Sequence, residues 1–551
     1  MSVAALTRQQ FLDDVVHSVG VTFLATEMRC LKCHDHKFDP MPTLDYYRMQ
    51  AIFAPVQFAD RTVPFQRVEN TDGLKAGLAR MQKLVKDGGI ELVVPEGATE
   101  KQKQEAGLGV AKVKNKQGQI RRRALNRFKP LALSVYNGPP AQYVSNKPLN
   151  PMPKQRQGNV QDVFVLASGS LESPLEKVTP GVLSVLPESN TRISKTSWNT
   201  IPDTMHGRRR TLARWIADEK NPLTARVIVN RVWQWHFGRG LAGNPNNFGK
   251  MGGRPTHPEL LDWLARRFME QGWSFKALHR LIVLSDVYQR SGDAPEPSRA
   301  AAVDPENKLL SWFPPRRLSA EELRDGMLLV SGELNRTLGG VAIRPEINRD
   351  VAFQPRHVMG SVAPAYQPSR TPAQRNRRTI YALKIRTLRD PFLEVFDQPT
   401  PDLSCERRTA STVTPQVFAL FNSPNVADRA LAMAARLQQT ANTPQEQIEA
   451  AFRGAFGRAP SDAEYKQASA HVAKMTQHHR THAPLVVEPP QSIIREMVEE
   501  MTGLTFQWKE QLDVYQNYVP GVRPWNVSPE TRGLAELCLV LFNANEFAYV
   551  Y

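Results

Sequence analysis

Start and stop signals for helices recur through the second half of the sequence and constrain its fold more than any other feature. Pro258 follows Thr256 in the first turn of one apolar-periodic run, and Gly272 closes that run. Ser319 and Glu322 form a capping box before another. Apolar periodicity predicts helices over 211–217, 223–237, 258–270, 275–288, 320–334, 426–438, 445–456, 461–475, 493–504 and 531–545.

The first part of the chain has two more such patterns and one charged region. Apolar residues at helical spacing predict helices over 6–27 and 44–53, the second capped by Thr43. Residues 74–128 are charged, Lys-rich and interrupted by Gly. That composition predicts one or two exposed helices with a flexible middle around 107–118.

The pattern changes again between residues 131 and 200. Segments 131–136 and 163–166 carry strand signals, and 178–186 resembles a turn followed by a strand. The fold class we predict is therefore mainly α, a multidomain helical protein with a small β-rich insert domain. The predicted parts are a first segment with a cysteine motif (1–60), a charged helical or flexible linker (61–130), a β-rich domain (131–200) and a helical domain (201–551).

The cysteine motif is the stretch Cys30-Leu31-Lys32-Cys33-His34, with the C-x-x-C-H spacing that attaches haem to protein. Two thiols one helical turn apart each add to a haem vinyl group, and the adjoining imidazole then lies under the iron. With four cysteines and twelve histidines in 551 residues, chance gives roughly 6 matches in 10,000 such sequences. We therefore predict haem c bound by Cys30, Cys33 and His34, with His34 as iron ligand.

Two other interpretations of this motif stay open. In one, Cys30, Cys33 and His36 (or His34) bind zinc, and a distant residue supplies the fourth ligand. The sequence has no second C-x-x-C pair, and the two remaining cysteines are isolated. In the other, the two cysteines form a small disulfide or are buried, and the histidines are surface groups.

The sixth iron ligand is a separate question. Met28, Met41 and Met49 are near in sequence, but no motif singles one out. A Met ligand would favour electron transfer, and an empty position would favour peroxide or small-gas chemistry.

The net charge of +17 raises the question of partners. Arginines cluster at 121–123, 208–210 and 375–378. No zinc-finger, homeodomain or aromatic–basic RNA-binding signature accompanies them. A solvated basic surface, or one for an anionic polysaccharide or lipid, is therefore favoured over a nucleic-acid site. The sequence has no run of eighteen apolar residues and therefore predicts no transmembrane helix.

Polar side chains outside the motif are further candidates. One set suits a polar cleft, although such residues at helix ends more often cap or form ion pairs: Asn230, Arg231, His236, Arg239, His257 and Arg316. A second set suits an anion site or internal ion pairing: Arg386, Arg389, Asp390, Asp397, Arg407 and Arg408. The long, Pro-bearing loop 343–379 is predicted to be functional or to line a cleft.

Several of these stretches resemble two planctomycete domains of unknown function. The sequence C-H-D-H-K-F-D-P at 33–40, followed by D-Y-Y at 45–47, resembles the end of the domain DUF1549. The motifs that resemble DUF1553 lie at 221–227, 230–233, 236–241, 248–249, 256–264, 316–318, 422–423 and 543–547.

The resemblance implies a setting rather than a reaction. Proteins that pair these domains are large and exported, commonly behind an N-terminal cytochrome-c-like domain. An exported or periplasmic, haem-associated protein with a redox partner is implied. No signal peptide opens this sequence, because Asp13 and Asp14 interrupt its first apolar region. Since covalent haem is attached after export, we expect an exported segment upstream.

Together these observations favour electron transfer or redox processing of an extracellular substrate. One alternative is a non-redox binding or scaffold protein of a polysaccharide-handling system, in which C-x-x-C-H binds metal or is structural. The other is a basic nucleic-acid-binding protein.

Overall fold

The computed structural model describes residues 3–94, 96–138, 161–186, 200–294, 296–358, 360–401, 405, 408, 410–499 and 503–551. The fold is mainly α-helical with short antiparallel strands, as predicted. The α-helices are Val3–Val19, Thr43–Phe53, Leu74–Asp87, Glu100–Ala124, Arg208–Ile216, Thr224–Phe237, Pro258–Glu270, Phe275–Val283, Pro297–Val303, Ala320–Val330, Arg349–Phe353, Pro372–Arg375, Pro391–Val395, Thr414–Asn422, Pro424–Thr440, Pro444–Phe456, Asp462–Thr481, Pro529–Phe542 and Asn545–Ala548. The strands are Val56–Thr62, Ile90–Val93, Leu131–Asn137, Val163–Leu166, Pro174–Val178, Arg316–Arg317, Ser492–Val498, Thr505–Gln511 and Tyr549–Val550.

The first hydrophobic core combines the N-terminal helices with the segment predicted as a separate β-rich domain. Strand Leu131–Asn137 pairs with Val56–Thr62, and Val163–Leu166 pairs with Pro174–Val178. Both pairs pack against the front helices instead of forming a unit of their own. The shared core includes Leu12, Val16, Leu31, Tyr47, Ile52, Val182, Leu183 and Trp215.

The turn followed by a strand predicted over 178–186 is wrong, because the strand Pro174–Val178 ends where the turn was expected and residues 179–186 form no strand. The backbone leaves the strand after Val178, and Ser184 donates from its N–H to Asp45 Oδ2 at 2.6 Å. A buried carboxylate on the helix Thr43–Phe53 thus takes the hydrogen bond that a neighbouring strand would have taken. Residues 139–160 and 187–199 of the predicted β-rich domain lie outside the described residues.

The segment predicted as a linker, 61–130, is folded into the rest of the molecule. Helix Glu100–Ala124 runs unbroken through the predicted flexible middle. Gly109 lies against Phe506, and a Cβ there would come within 2.7 Å of the ring. Glycine at this position permits close packing rather than flexibility.

A three-stranded antiparallel sheet explains this packing. Its order places Thr505–Gln511 between Ile90–Val93 and Ser492–Val498. The predicted helix over 493–504 is therefore wrong. In the strand Ser492–Val498, buried and exposed side chains alternate over the last residues, with Arg495 and Met497 buried. A period of two is typical of a strand.

The second half contains the predicted helical packing. One core lies between the helices Thr224–Phe237, Pro258–Glu270 and Phe275–Val283. The largest core lies among the C-terminal helices, where burial raises the pKa of the Cys538 thiol to about 12. The Ser319 capping box is confirmed. Within the described ranges, no helix is both long and apolar enough to cross a bilayer.

A fully buried ion pair lies where the three-stranded sheet meets the loop 343–379. Arg495 Nη1 donates to Glu510 Oε2 at 2.8 Å, and the two side chains are 1% and 0% exposed. Arg495 also donates to the carbonyl of Ala363 at 2.9 Å. Glu510 accepts from the Ala365 N–H at 2.8 Å and from Gln117 at 3.1 Å. The pair therefore joins the sheet, the long loop and the helix Glu100–Ala124.

We predict that Arg495→Met lowers the free energy of unfolding by about 3–5 kcal/mol, because Glu510 would remain buried without its cation. The exposed pair between Arg480 and Glu530 provides the matched control. Arg480→Met should cost about 0–1 kcal/mol. Urea denaturation followed by circular dichroism measures both, and equal losses in the two variants would contradict the prediction.

Candidate functional site

The C-x-x-C-H motif forms a short turn with a fixed backbone. Cys30 lies in the single 3₁₀ turn Arg29–Lys32, whose Leu31 is fully buried. Tyr47 donates its hydroxyl to the carbonyl of Lys32 at 2.7 Å, and the Lys32 ammonium lies 2.8 Å from Asp13. The helices Val3–Val19 and Thr43–Phe53 thus anchor the backbone of the turn.

The reactive side chains of the turn face outward. Cys30 and Cys33 are exposed free thiols, and His34 is also exposed. The ring Nδ1 of His34 lies 2.7 Å from the carbonyl oxygen of Asp35. Since a carbonyl only accepts, Nδ1 carries the proton and Nε2 keeps its lone pair. A metal-ligating imidazole takes this form.

A glycine gives the second thiol its room. Gly169 has a φ of +74°, and an added Cβ there would lie 3.0 Å from Cys33 Sγ. A larger residue would be strained in this left-handed conformation and would press on the thiol.

The residues that follow the C-x-x-C-H motif contact the helical part of the chain after residue 200. His36 Nδ1 lies 3.0 Å from the Asp39 N–H and 3.2 Å from Asp39 Oδ2. Asp39 Oδ1 accepts from the Lys250 N–H at 2.8 Å. The carboxylate lies so close to Gly249 that a Cβ there would overlap it. We did not predict this contact, because Asp39 suggested only a stop to regular structure before Pro40.

His36 therefore occupies a structural position, which bears on the zinc interpretation. Its ring faces Asp39 and is far more buried than His34. Across the part of the chain that the structure describes, no group of three His, Cys, Asp or Glu side chains is placed to hold a metal ion.

The three candidate methionines lie in the core. Met28 and Met49 are fully buried, and Met41 is 5% exposed. Met28 packs directly against Gly20. Each would have to leave its packing to reach an iron beside the exposed His34.

Two of the six candidate cleft residues join neighbouring segments through hydrogen bonds to the backbone. Arg231 donates to the carbonyls of Thr22 and Val21, each at 2.7 Å, just before the C-x-x-C-H turn. Asn230 is buried and exchanges two hydrogen bonds with the backbone of Ala242, at 2.8 and 2.9 Å.

The other four have separate partners. Arg239 pairs with Glu306 at 2.8 Å, and Arg316 pairs with Glu322 at 3.1 Å. His257 Nδ1 lies 3.0 Å from Thr256 Oγ1. His236 Nε2 lies 2.8 Å from His279 Nδ1. Of the six candidates, only His236 and Arg316 influence each other electrostatically. Burial and His279 lower the pKa of His236 most, and the charge of Arg316 lowers it further.

The second polar set is engaged mostly in ion pairs. Arg389 pairs with Glu394, Asp397 with Arg317, and Arg408 with Glu321. Asp390 instead caps the helix Pro391–Val395 with its Oδ1. Arg407 lies outside the described residues.

We expect Asp39→Ala to weaken the contact between residues 36–41 and the segment around Lys250. The variant leaves the Lys250 N–H without its acceptor, at a cost of about 1–3 kcal/mol. Amide hydrogen exchange should become faster at Lys250 and over residues 36–41. Lys37→Ala, at an exposed position of the same loop, is the control. Unchanged exchange in Asp39→Ala would refute the docking role.

The histidine pair predicts a pH dependence of stability. Because the pKa of His236 is lowered in the fold, the unfolded chain takes up the proton first as the pH falls past 6.5. His236 therefore contributes a loss of stability between about pH 7 and about pH 5. His236→Gln should reduce that loss, whereas His257→Gln, at a half-buried position outside this pair, should not. Urea midpoints at both pH values test this, and identical pH dependence in all three proteins would contradict it.

Two segments of the chain match known families. Residues 2–58 match PSCyt2, a protein of unknown function (DUF1549), and residues 208–472 match PSD1, a protein of unknown function (DUF1553). No curated protein and no solved structure matches the chain. The order of the two segments is the order expected from the sequence motifs. The chain therefore carries a segment similar to PSCyt2 followed by one similar to PSD1, both of unknown function.

Proposed function

We propose that the chain carries haem c on Cys30 and Cys33, with His34 as iron ligand. We further propose that it acts in electron transfer or in redox processing of an extracellular substrate. One observation carries this proposal: three side chains of haem-attachment chemistry are exposed together on a turn whose backbone is anchored.

The local geometry supports the donor set. The Cys33 N–H donates to the Cys30 carbonyl at 3.3 Å, so one tight turn separates the two thiols. Neither thiol is in a disulfide. The Asp35 carbonyl holds the His34 ring by Nδ1 and leaves Nε2 for the iron.

The surroundings add to the argument. A bound haem would supply one-electron chemistry, with a potential set by its axial ligands and its exposure to solvent. The three nearby methionines are buried, so none of them could bind a haem iron held by His34 without leaving its packing. Covalent haem and the family resemblance together favour an exported or periplasmic location.

We predict a covalent haem band in the chain exported by a host that matures c-type cytochromes. A pyridine haemochrome spectrum of the denatured protein measures attachment directly. Cys30→Ala/Cys33→Ala should lose the band because both thioethers are removed. Cys405→Ala removes another exposed cysteine and should keep it.

Metal analysis of the same samples separates the alternatives. Stoichiometric zinc without haem would overturn the proposal and assign the motif to a metal site. Absence of both, with a Cys30–Cys33 disulfide found by mass spectrometry, would overturn it in favour of a structural role.

A further inference from the structure

A cavity of about 410 Å³ lies in the second half of the molecule, far from the C-x-x-C-H motif in sequence. One of its walls is the long loop 343–379, which the sequence predicted to line a cleft. The volume falls within the range of small-molecule sites. Its wall includes Asn348, Asp390, Asn425, Asp428, Arg523 and Trp525.

One side of the cavity is a fixed polar network. Arg523 donates to Asp428 Oδ2 at 2.5 Å and to both oxygens of Glu346 at 3.2 Å. The hydroxyl of Tyr518 donates to Glu346 at 2.6 Å. Burial alone would raise the pKa of Glu346, but Arg523 and Tyr518 outweigh it and hold that pKa below its ordinary value. The charge of Arg523 is thus already balanced by carboxylates.

Other polar atoms of the wall are not engaged in this way. Asp390 uses Oδ1 as a helix cap, at 3.0 Å from the Phe392 N–H, and Asp428 uses Oδ2 for Arg523. Among the residues that the structure describes, the second oxygen of each carboxyl group has no hydrogen-bond partner, and neither has the indole N–H of Trp525. Burial raises the pKa of both Asp390 and Asp428, so these carboxyl groups retain protons more readily than exposed ones.

We propose that this cavity binds a neutral saccharide. A sugar ring has a flat apolar face, which suits the half-buried indole of Trp525, and hydroxyl groups that both donate and accept. Carboxyl and amide oxygens accept hydrogen bonds from sugar hydroxyls, and amide and indole N–H groups donate to them. An anion would need an excess of cations, whereas the wall holds two arginines, Arg349 and Arg523, and four acidic side chains. Arg523 is also already paired with two of those acids. A cation would need free carboxylates, whereas Glu346 and Asp428 are already paired with Arg523. Among the described residues, no three His, Cys, Asp or Glu side chains are placed together to hold a metal ion.

The test uses the full chain and four neutral trisaccharides as probes: cellotriose, maltotriose, xylotriose and N,N′,N″-triacetylchitotriose. Isothermal titration should give at least one of them a Kd of about 1 mM or tighter. Trp525→Ala and Asp390→Asn should each weaken that binding about tenfold or more. Asn is itself a good helix cap, so Asp390→Asn keeps the helix Pro391–Val395 intact. Trp235→Ala, at an exposed indole that does not line this cavity, should leave binding unchanged.

Three results would overturn the proposal. The first is that none of the four trisaccharides binds. The second is binding that both Trp525→Ala and Asp390→Asn leave unchanged while their circular dichroism matches the parent protein. The third is tighter binding of the anionic trigalacturonate or of the cationic glucosamine trimer. None of these results bears on haem attachment, because the two sites share no residue.

Discussion

Buried arginines that bind backbone carbonyls hold the irregular part of this protein together. Arg375 donates to the carbonyls of Ser369, Arg370 and Val519, and Arg377 to those of Thr337, Gly339 and Val341. A long loop cannot satisfy its own carbonyls as a helix does, and a buried carbonyl without a donor is costly. A guanidinium offers several N–H donors in a rigid plane, so one side chain can join three turns of loop. Arg375 also lies 3.9 Å from Glu346, a residue of the cavity wall.

The same interaction changes what the net charge means. Each of the three arginine clusters places a member inside the fold, where Arg121 binds the Gly88 carbonyl, Arg208 the Ala51 carbonyl and Arg375 the loop carbonyls. These arginines thus supply backbone carbonyls with hydrogen bonds that secondary structure does not provide. A basic composition alone is therefore a poor argument for a polyanionic partner in this chain, whether nucleic acid or polysaccharide.

Local signals predicted the parts of the fold that local interactions decide. The helix Pro258–Glu270 has the predicted bounds because its signals are local: Pro258 at its start, the apolar period along it and Gly272 just after its end. The strand Ser492–Val498 was mistaken for a helix because its burial depends on Glu510, on another strand. The segment 61–130 looked solvated because its apolar residues meet a core built from residues near 500. Periodicity within a segment cannot report such distant partners.

The motif at 30–40 shows the same division within one site. Residue types and spacing identify Cys30, Cys33 and His34, whereas the role of Asp39 depends on a backbone N–H more than two hundred residues later. Two further contacts, the Phe248 N–H to the Ala25 carbonyl and Arg231 to the carbonyls before the turn, join the same two surfaces. The exposed half of the motif is thereby held at a defined place on the PSD1 domain. Without the second segment, the Asp39 carboxylate and these carbonyls would lose these protein donors. In this chain the end of the PSCyt2 segment therefore completes its hydrogen bonds on residues of the PSD1 segment.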